Sequence, residues 1–243
     1  MLTAFYSNYH SGGVNDGNYE QESKMRSHHL EQLRRVKVAL GRSPRNLLDI
    51  GCGKGFFLET CASEAISCKG LEISDQAADF ARTNLGLDVL CGDIHGAKSQ
   101  LPTFDAITMW GVIEHLANPV AVLKDAQEIL APGGLLFITT GLGNDWLDRL
   151  LPGVNQWYDP PQHLFVFSAD GMRTSFERAG LELVFLDQNY DRTKVRSLAR
   201  FARNAVTGTM LRLAAEVGRL DSGRFAMTRF PMANYLFAVA RRP

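Results

Sequence analysis

The residues able to do chemistry in this chain fall into a few tight groups. The run Asp49-Ile50-Gly51-Cys52-Gly53-Lys54-Gly55-Phe56 places glycines at alternate positions after an acid. Glycine lets a backbone turn with positive φ and lets a ligand approach without a Cβ in the way. Leu47, Leu48 and Ile50 ahead of the turn read as a short buried strand. Phe56 and Phe57 after it open a helix whose first N–H groups lack partners and favour a polar or anionic ligand. Glu72, with Ile73 beside it, follows the first glycine by about twenty residues, the spacing at which an acid accepts both hydroxyls of a ribose. A plain surface acid is the alternative. Asp93 suits an adenine amino group and Ile94 the face of the ring, although Asp93 can equally cap a helix. Trp110 and Gly111 would line the far side of the same ligand. His115, with Glu114 before it, and the more distant His163 are groups able to take a proton near neutral pH.

The glycine spacing discriminates between ligands. A dinucleotide fingerprint is G-x-G-x-x-G, with its third glycine where helix and strand pack closely. That position is Phe56, and the third glycine comes one residue early. An NAD-dependent oxidoreductase is disfavoured on that ground. Taken alone, the stretch could also be an ordinary tight turn in an α/β fold.

Strands alternating with helices are needed to bring these groups to one edge. An amphipathic helix spans about 24–40, with Met25, Leu30, Leu33, Val36 and Leu40 near helical spacing and Gly41 as its stop. Strands are expected at 46–50, 67–73, 88–91, 104–109, 135–139, 181–186 and 234–240. Helices are expected at 56–65, 75–84, 119–130 and 168–179, with Ser74 and Ser168 as caps. Residues 1–44 form an arm and helix, and 45–243 one domain with a lid loop at 141–168 and a helical insertion at 190–230. Tyr6 and Tyr9 of the arm could fold over the ligand.

Composition narrows the setting. The chain has 243 residues, 45% of them hydrophobic, and a formal net charge of zero, which implies neither a nucleic-acid nor an acidic partner. No apolar run is long enough to span a bilayer, and the first residues lack the blocks of a signal peptide. Cys52, Cys61, Cys68 and Cys91 form no C-x-x-C pair and read as reduced thiols, so the cytoplasm is expected. Residues 192–229 hold nine basic side chains against two acids. Such a stretch can lie on a membrane or hold an anionic acceptor, or it can be a solvated helix packed by its apolar side.

Read in order, Asp49-Ile-Gly51-Cys-Gly53-Lys-Gly55, Glu72, Gly92-Asp93, Phe104-Asp105 and Leu130-Ala-Pro132-Gly133-Gly134 resemble the successive motifs of the class I S-adenosylmethionine (SAM)-dependent methyltransferases. Glu114-His115-Leu116-Ala117-Asn118-Pro119 and Pro161-Gln162-His163-Leu164 are similar to segments of the branch that includes ubiquinone-biosynthesis enzymes. The likeness covers about residues 45–185. It implies a Rossmann-like, doubly wound α/β sheet of seven strands, mostly parallel with the last antiparallel. It implies SAM as methyl donor, S-adenosylhomocysteine as product and a small-molecule or lipid-like acceptor methylated at oxygen, nitrogen or carbon. The cofactor residues it points to are Asp49, Gly51, Cys52, Gly53, Gly55, Phe56, Glu72, Ile73, Asp93, Ile94, Trp110 and Gly111. In ubiquinone O-methyltransferases the glutamate–histidine pair belongs to a proposed metal site with one more acid. That acid falls at Gly111 here, so no metal is expected.

Of the two histidines, His163 is expected nearer the transferred methyl and better suited as a base. Pro160 and Pro161 stiffen its loop, and Tyr158 and Phe165 give it an apolar underside. His115 is expected to open a helix, where the positive dipole end disfavours its protonated form. No Asn-Pro-Pro-Tyr motif ends the fourth strand, which disfavours a nucleic-acid base as acceptor. A SAM-binding regulator without turnover is the second function class that fits these residues.

Overall fold

Leu47, Leu48 and Ile50 are apolar on both sides of their strand, as a central parallel strand requires. The computed structural model describes residues 25–143, 157, 162–190 and 234–243. Tyr6, Tyr9, Tyr158, Pro160, Pro161, most of the expected lid and the basic 192–229 stretch lie outside the described residues. The order is α1 (Arg26–Leu40), β1 (Asn46–Ile50), α2 (Phe56–Ser63), β2 (Ser67–Glu72), α3 (Asp75–Leu85), β3 (Val89–Cys91) and α4 (Ile94–Ala97). It continues with β4 (Phe104–Trp110), α5 (Pro119–Ile129), β5 (Leu130–Gly141), α6 (Ala169–Arg178), β6 (Glu182–Tyr190) and β7 (Asn234–Arg241).

The seven strands form one sheet in the order β3-β2-β1-β4-β5-β7-β6. The five strands from β3 to β5 pair in parallel, and β7 runs antiparallel between β5 and β6. The chain steps outward from β1 to β3 and returns to place β4 beside β1. That reversal is the point where open α/β sheets bind ligands, beyond the carboxyl ends of the strands.

Alternate strand residues feed two cores. Leu47, Ala106, Phe137 and Val239 meet Leu33 and Val36 of α1, Phe57 and Cys61 of α2 and Ala78 and Ala81 of α3. Leu48, Ile107, Leu136 and Ala238 meet Ile94, Leu123 and Ala126, and Met172 and Phe176 of α6. The expected stops and caps hold: Gly41 closes α1 at φ 67°, and Ser74 and Ser168 accept from Ala77 and Gly171.

Two expectations change. The fifth strand begins at Leu130, because Leu130 pairs with Phe104 and the ladder slips before resuming at Leu135. The Pro132-Gly133-Gly134 step is thus an irregularity inside a strand, held by Arg242 N–H on Gly134 O at 3.0 Å. Asp105, part of the motif series, lies at the start of β4, at the opposite edge from the ligand crevice. There it accepts from Arg42 Nη1 and Arg45 Nη2, both at 2.8 Å, and holds its carboxyl well below the usual range, chiefly through Arg45. Its task is to tie the approaches of β1 and β4 together.

Candidate functional site

The glycine turn is built on the end of β1. Gly51 sits at φ 71°, and a Cβ there would come within 2.6 Å of Val112 Cγ2, so neither the backbone nor the packing admits a side chain. The Gly51 and Cys52 N–H groups donate to Leu71 O at 2.7 and 3.3 Å, which ties the turn to β2. Glu72, buried at the end of β2, accepts the Gly53 N–H on one oxygen and the Ser74 N–H on the other, each at 2.8 Å. The acid therefore braces the turn and the start of α3.

Asp49 lies beneath the turn, where Thr108 Oγ1 donates to it at 2.6 Å. Burial pushes its carboxyl up to about 7, the Thr108 bond opposes, and the charge of Glu72 adds to the rise. Burial likewise raises the Cys52 thiol, so this cysteine is an inert packing residue half-buried in the turn. The buried Phe56 ring lies tilted against Phe80, with ring centroids 6.1 Å apart. Ile73 is half-buried beside Glu72.

At the end of β3 Asp93 caps α4, its Oδ1 accepting from Gly96 at 2.8 Å. The helix-cap alternative is thus realised on one oxygen. Ile94 is buried in the core rather than presented at the surface. Trp110 stands at the end of β4 with its indole edge-on to Phe57, and its Nε1–H is buried without a partner among the described residues. Gly111 follows at φ 68°, its N–H donating to Thr139 O at 2.9 Å.

Glu114 and His115 belong to a single 3-10 turn, Ile113–His115, and not to a helix start. The helix begins at Asn118, whose side chain accepts from Ala121, with Pro119 in the first turn. The helix-dipole argument for His115 falls away. Burial is what lowers its pKa, against a rise from its contact with Gln162 O. Glu114 is buried with its Oε2 accepting from Thr140 Oγ1 at 2.9 Å; burial raises its pKa, and that bond together with nearby His163 opposes the rise.

The fold brings His163 to this pair. Glu114 O accepts the N–H groups of Leu164 and Phe165 at 2.9 and 3.1 Å, which pins the 162–168 segment over the ends of β4 and β5. His115 Nδ1 lies 2.7 Å from Gln162 O and His163 Nδ1 lies 2.9 Å from Trp157 O. A carbonyl oxygen only accepts, so each Nδ1 carries a proton. Trp157 lies flat on Gly141 at the end of β5, where a Cβ would fall 2.1 Å from the indole. Phe165 is largely exposed and packs one side of its ring against Phe167, with centroids 6.0 Å apart, and backbone hydrogen bonds hold the segment as well. Donor atoms of Glu114, His115 and His163 lie within 4.8 Å of one another.

A sequence profile of the family described as "Methyltransferase domain" matches residues 22–186. The chain belongs to that family. The resemblance to class I SAM-dependent methyltransferases is thereby borne out. The methyltransferase domain is 39% identical over 98 residues to a ubiquinone biosynthesis O-methyltransferase of Parvibaculum lavamentivorans, covering 38% of this chain and 39% of that protein. It is 28% identical over 200 residues to the protein of that name in Alkalilimnicola ehrlichii, covering 72% and 81%. Over the first relatives it matches, the chain thus spans about two-fifths to half of their length. Among solved structures it resembles the plantazolicin methyltransferase BamL in complex with S-adenosylhomocysteine (SAH) (TM-score 0.64, 17% identity, 99% and 95% of the two chains). It also resembles the [4+2]-cyclase SpnF (TM-score 0.62, 22% identity, 100% and 93%).

The methyltransferase domain's residues fit SAM. The glycine turn keeps Cβ atoms away, Glu72 offers carboxylate lone pairs, and the orphaned Trp110 N–H supplies a donor beside the turn. Thr108, Thr140 and Trp157 were not singled out from sequence. Only the pairing of Thr108 with Asp49 across the β1–β4 ladder, the Thr140 bond to Glu114 and the contact of Trp157 with Gly141 reveal them.

Proposed function

We propose that the chain carries a methyl group from SAM to an oxygen of a small, lipid-like acceptor. The observation that carries this reading is the pairing of two features along one sheet edge. Glu72 and Asp93 stand at the ends of β2 and β3 beside the glycine turn that follows β1, and Glu114, His115 and His163 meet beyond the end of β4. Methyl transfer from a sulfonium is an in-line displacement. The acceptor oxygen forms the new bond to carbon, the carbon–sulfur bond breaks, and its electron pair stays on sulfur to leave neutral S-adenosylhomocysteine. The hydroxyl proton passes to the lone-pair nitrogen of His163, and the Glu114 carboxyl beside it stabilises the charge gained. His115 is the poorer sink, because burial already disfavours its protonated form.

The relatives named ubiquinone biosynthesis O-methyltransferases support oxygen as the acceptor atom and a lipid-like acceptor. The basic 192–229 stretch carries charge that an anionic membrane surface attracts. No helix among the described residues is long and apolar enough to cross a membrane, and free cysteines suit the reducing cytoplasm.

SAM should release heat on binding and raise the melting temperature by mass action, whereas NAD should do neither. An absence of both signals at millimolar SAM rejects the reading. His163→Ala should lower kcat on lipid-tailed phenols by on the order of a hundredfold, the low end for a lost base, with SAM affinity intact. The rival reading is SAM binding without turnover, because the glycine turn with Glu72 is separate from the Glu114, His115 and His163 cluster. Release of S-adenosylhomocysteine with an acceptor decides between the two.

A further inference from the structure

We propose that Asp125 is a positioning residue that sets the selectivity of the cofactor site for adenine. It is a buried acid on α5 that neither the glycine turn nor the histidine cluster uses. It acts through Lys98 and His95 on the short helix that Asp93 caps. Asp93 as the acceptor of the adenine amino group of SAM is the reading on which this rests, and Asp125 is what holds that acceptor in place.

Asp93 cannot aim itself. Its side chain is exposed, and among the described residues only its Oδ1 is engaged, by the Gly96 N–H at 2.8 Å. Oδ2 is left for a ligand. The cap fixes the carboxylate relative to α4, so α4 decides where Oδ2 points. Yet α4 has only 4 residues, Ile94–Ala97, and a helix of one turn has almost no stability of its own. Its orientation comes from what it packs against.

Two contacts supply that orientation. Ile94 is buried in the second core with Leu123 and Ala126 of α5. Apolar packing is non-directional, so by itself it lets α4 roll about Ile94. Asp125 stops the roll. Its Oδ1 accepts from Lys98 Nζ at 2.5 Å, and its Oδ2 lies 3.2 Å from His95 Nδ1. His95 is in α4, and Lys98 opens the 3-10 turn Lys98–Gln100 that continues it. Lys98 also meets Glu128, but the Glu128 side chain is 56% exposed and that of Asp125 only 9%. A nearly buried partner is screened little, whereas an exposed pair contributes little. Asp125 is thus the anchor. Without it α4 turns about Ile94 and carries Oδ2 of Asp93 out of line with the adenine amino group.

The test is calorimetric binding of two ligands to the full chain: S-adenosylhomocysteine, and S-inosylhomocysteine, which carries an oxygen where adenine carries its amino group. The parent should prefer the adenosyl ligand at least about tenfold, the equivalent of one hydrogen bond to a charged acceptor. Asp125→Ala should weaken the adenosyl ligand about five- to tenfold and leave the inosyl ligand within about twofold, because only the first makes that bond. Lys98→Met should act in the same direction, and Lys98→Arg, which keeps the charge, should keep the preference. In an Asp93→Ala background Asp125→Ala should add nothing, since both act through one bond. Ligand-free melting temperatures confirm that each variant is folded, and Lys98→Met carries the test if Asp125→Ala does not fold. A preference unchanged in both Asp125→Ala and Lys98→Met overturns the proposal. So does an equal loss of both ligands, which marks a merely structural tie, and so does an additive double variant. A parent that binds both ligands equally overturns the proposal and leaves the SAM reading standing. A parent that binds neither rejects the SAM reading and this proposal with it.

Discussion

Replacing Glu72 tests how the cofactor crevice is organised. The carboxylate accepts two backbone N–H groups, from Gly53 and Ser74, each at 2.8 Å. A hydrogen bond to a charged acceptor contributes about 1.5–3 kcal/mol, and a buried donor left alone costs its desolvation. Ser74 is fully buried, so its orphaned N–H finds no water, whereas Gly53 lies in a half-exposed turn and can recover part of its loss. The net cost of Glu72→Ala in the ligand-free protein should be about 3 kcal/mol. For a chain of this length that is roughly 6–12 °C in melting temperature. Glu72→Gln keeps one acceptor oxygen but turns an NH2 toward a donor, so it should lose at least half as much. SAM affinity should fall at least tenfold beyond this in both variants, because the ribose hydroxyls lose a charged acceptor. Calorimetric melting with and without SAM reads both effects. If ligand-free Glu72→Ala melts within about 2 °C of the parent, the carboxylate does not brace the turn and the reasoning fails.

Two further outcomes follow from buried acids. Between its ordinary value of 3.8 and about 7, folded Asp49 keeps a proton that the unfolded chain has released, so its contribution to stability falls as pH rises through that window. The loss is complete above about pH 7 and amounts to at most about 4 kcal/mol. Asp49→Asn, which keeps an oxygen for Thr108, should be more stable than the parent in urea at pH 8, with the gain shrinking toward zero at pH 4; a pH-independent difference rejects the assignment. Thr140→Val preserves volume but removes the donor to Glu114, and should cost about 1.5–3 kcal/mol in urea unfolding; unchanged stability would show that the carboxyl makes no use of that hydroxyl.

Local chemistry made much of this protein legible from sequence. The glycine turn declares itself because only glycine tolerates positive φ with Val112 packed against it. Seven apolar strand segments declare themselves because both sheet faces are covered, and Ser74, Ser168 and Gly41 mark helix ends through bonds made within a turn. Glu72 and Asp93 could be singled out because open α/β sheets bind ligands beyond the strand ends at a switch point. Where the reading failed, the deciding contact lay far away in the chain. His115 was assigned a helix start because Asn118-Pro119, the true start, competes with it over a few residues. Asp105 belongs to the motif series that marks the family, yet parallel pairing puts the beginning of β4 at the opposite edge from its end. The Phe56 and Ile94 side chains, expected at the ligand, are buried, one against Phe80 and the other in the second core. The meeting of Glu114, His115 and His163 could not be read from spacing at all. It depends on Leu164 and Phe165 returning to one carbonyl oxygen and on Trp157 lying on Gly141, contacts that exist only once the sheet has closed. Backbone conformation and burial pattern are encoded over a few residues. The meeting of side chains from distant segments is set by how the finished layers pack.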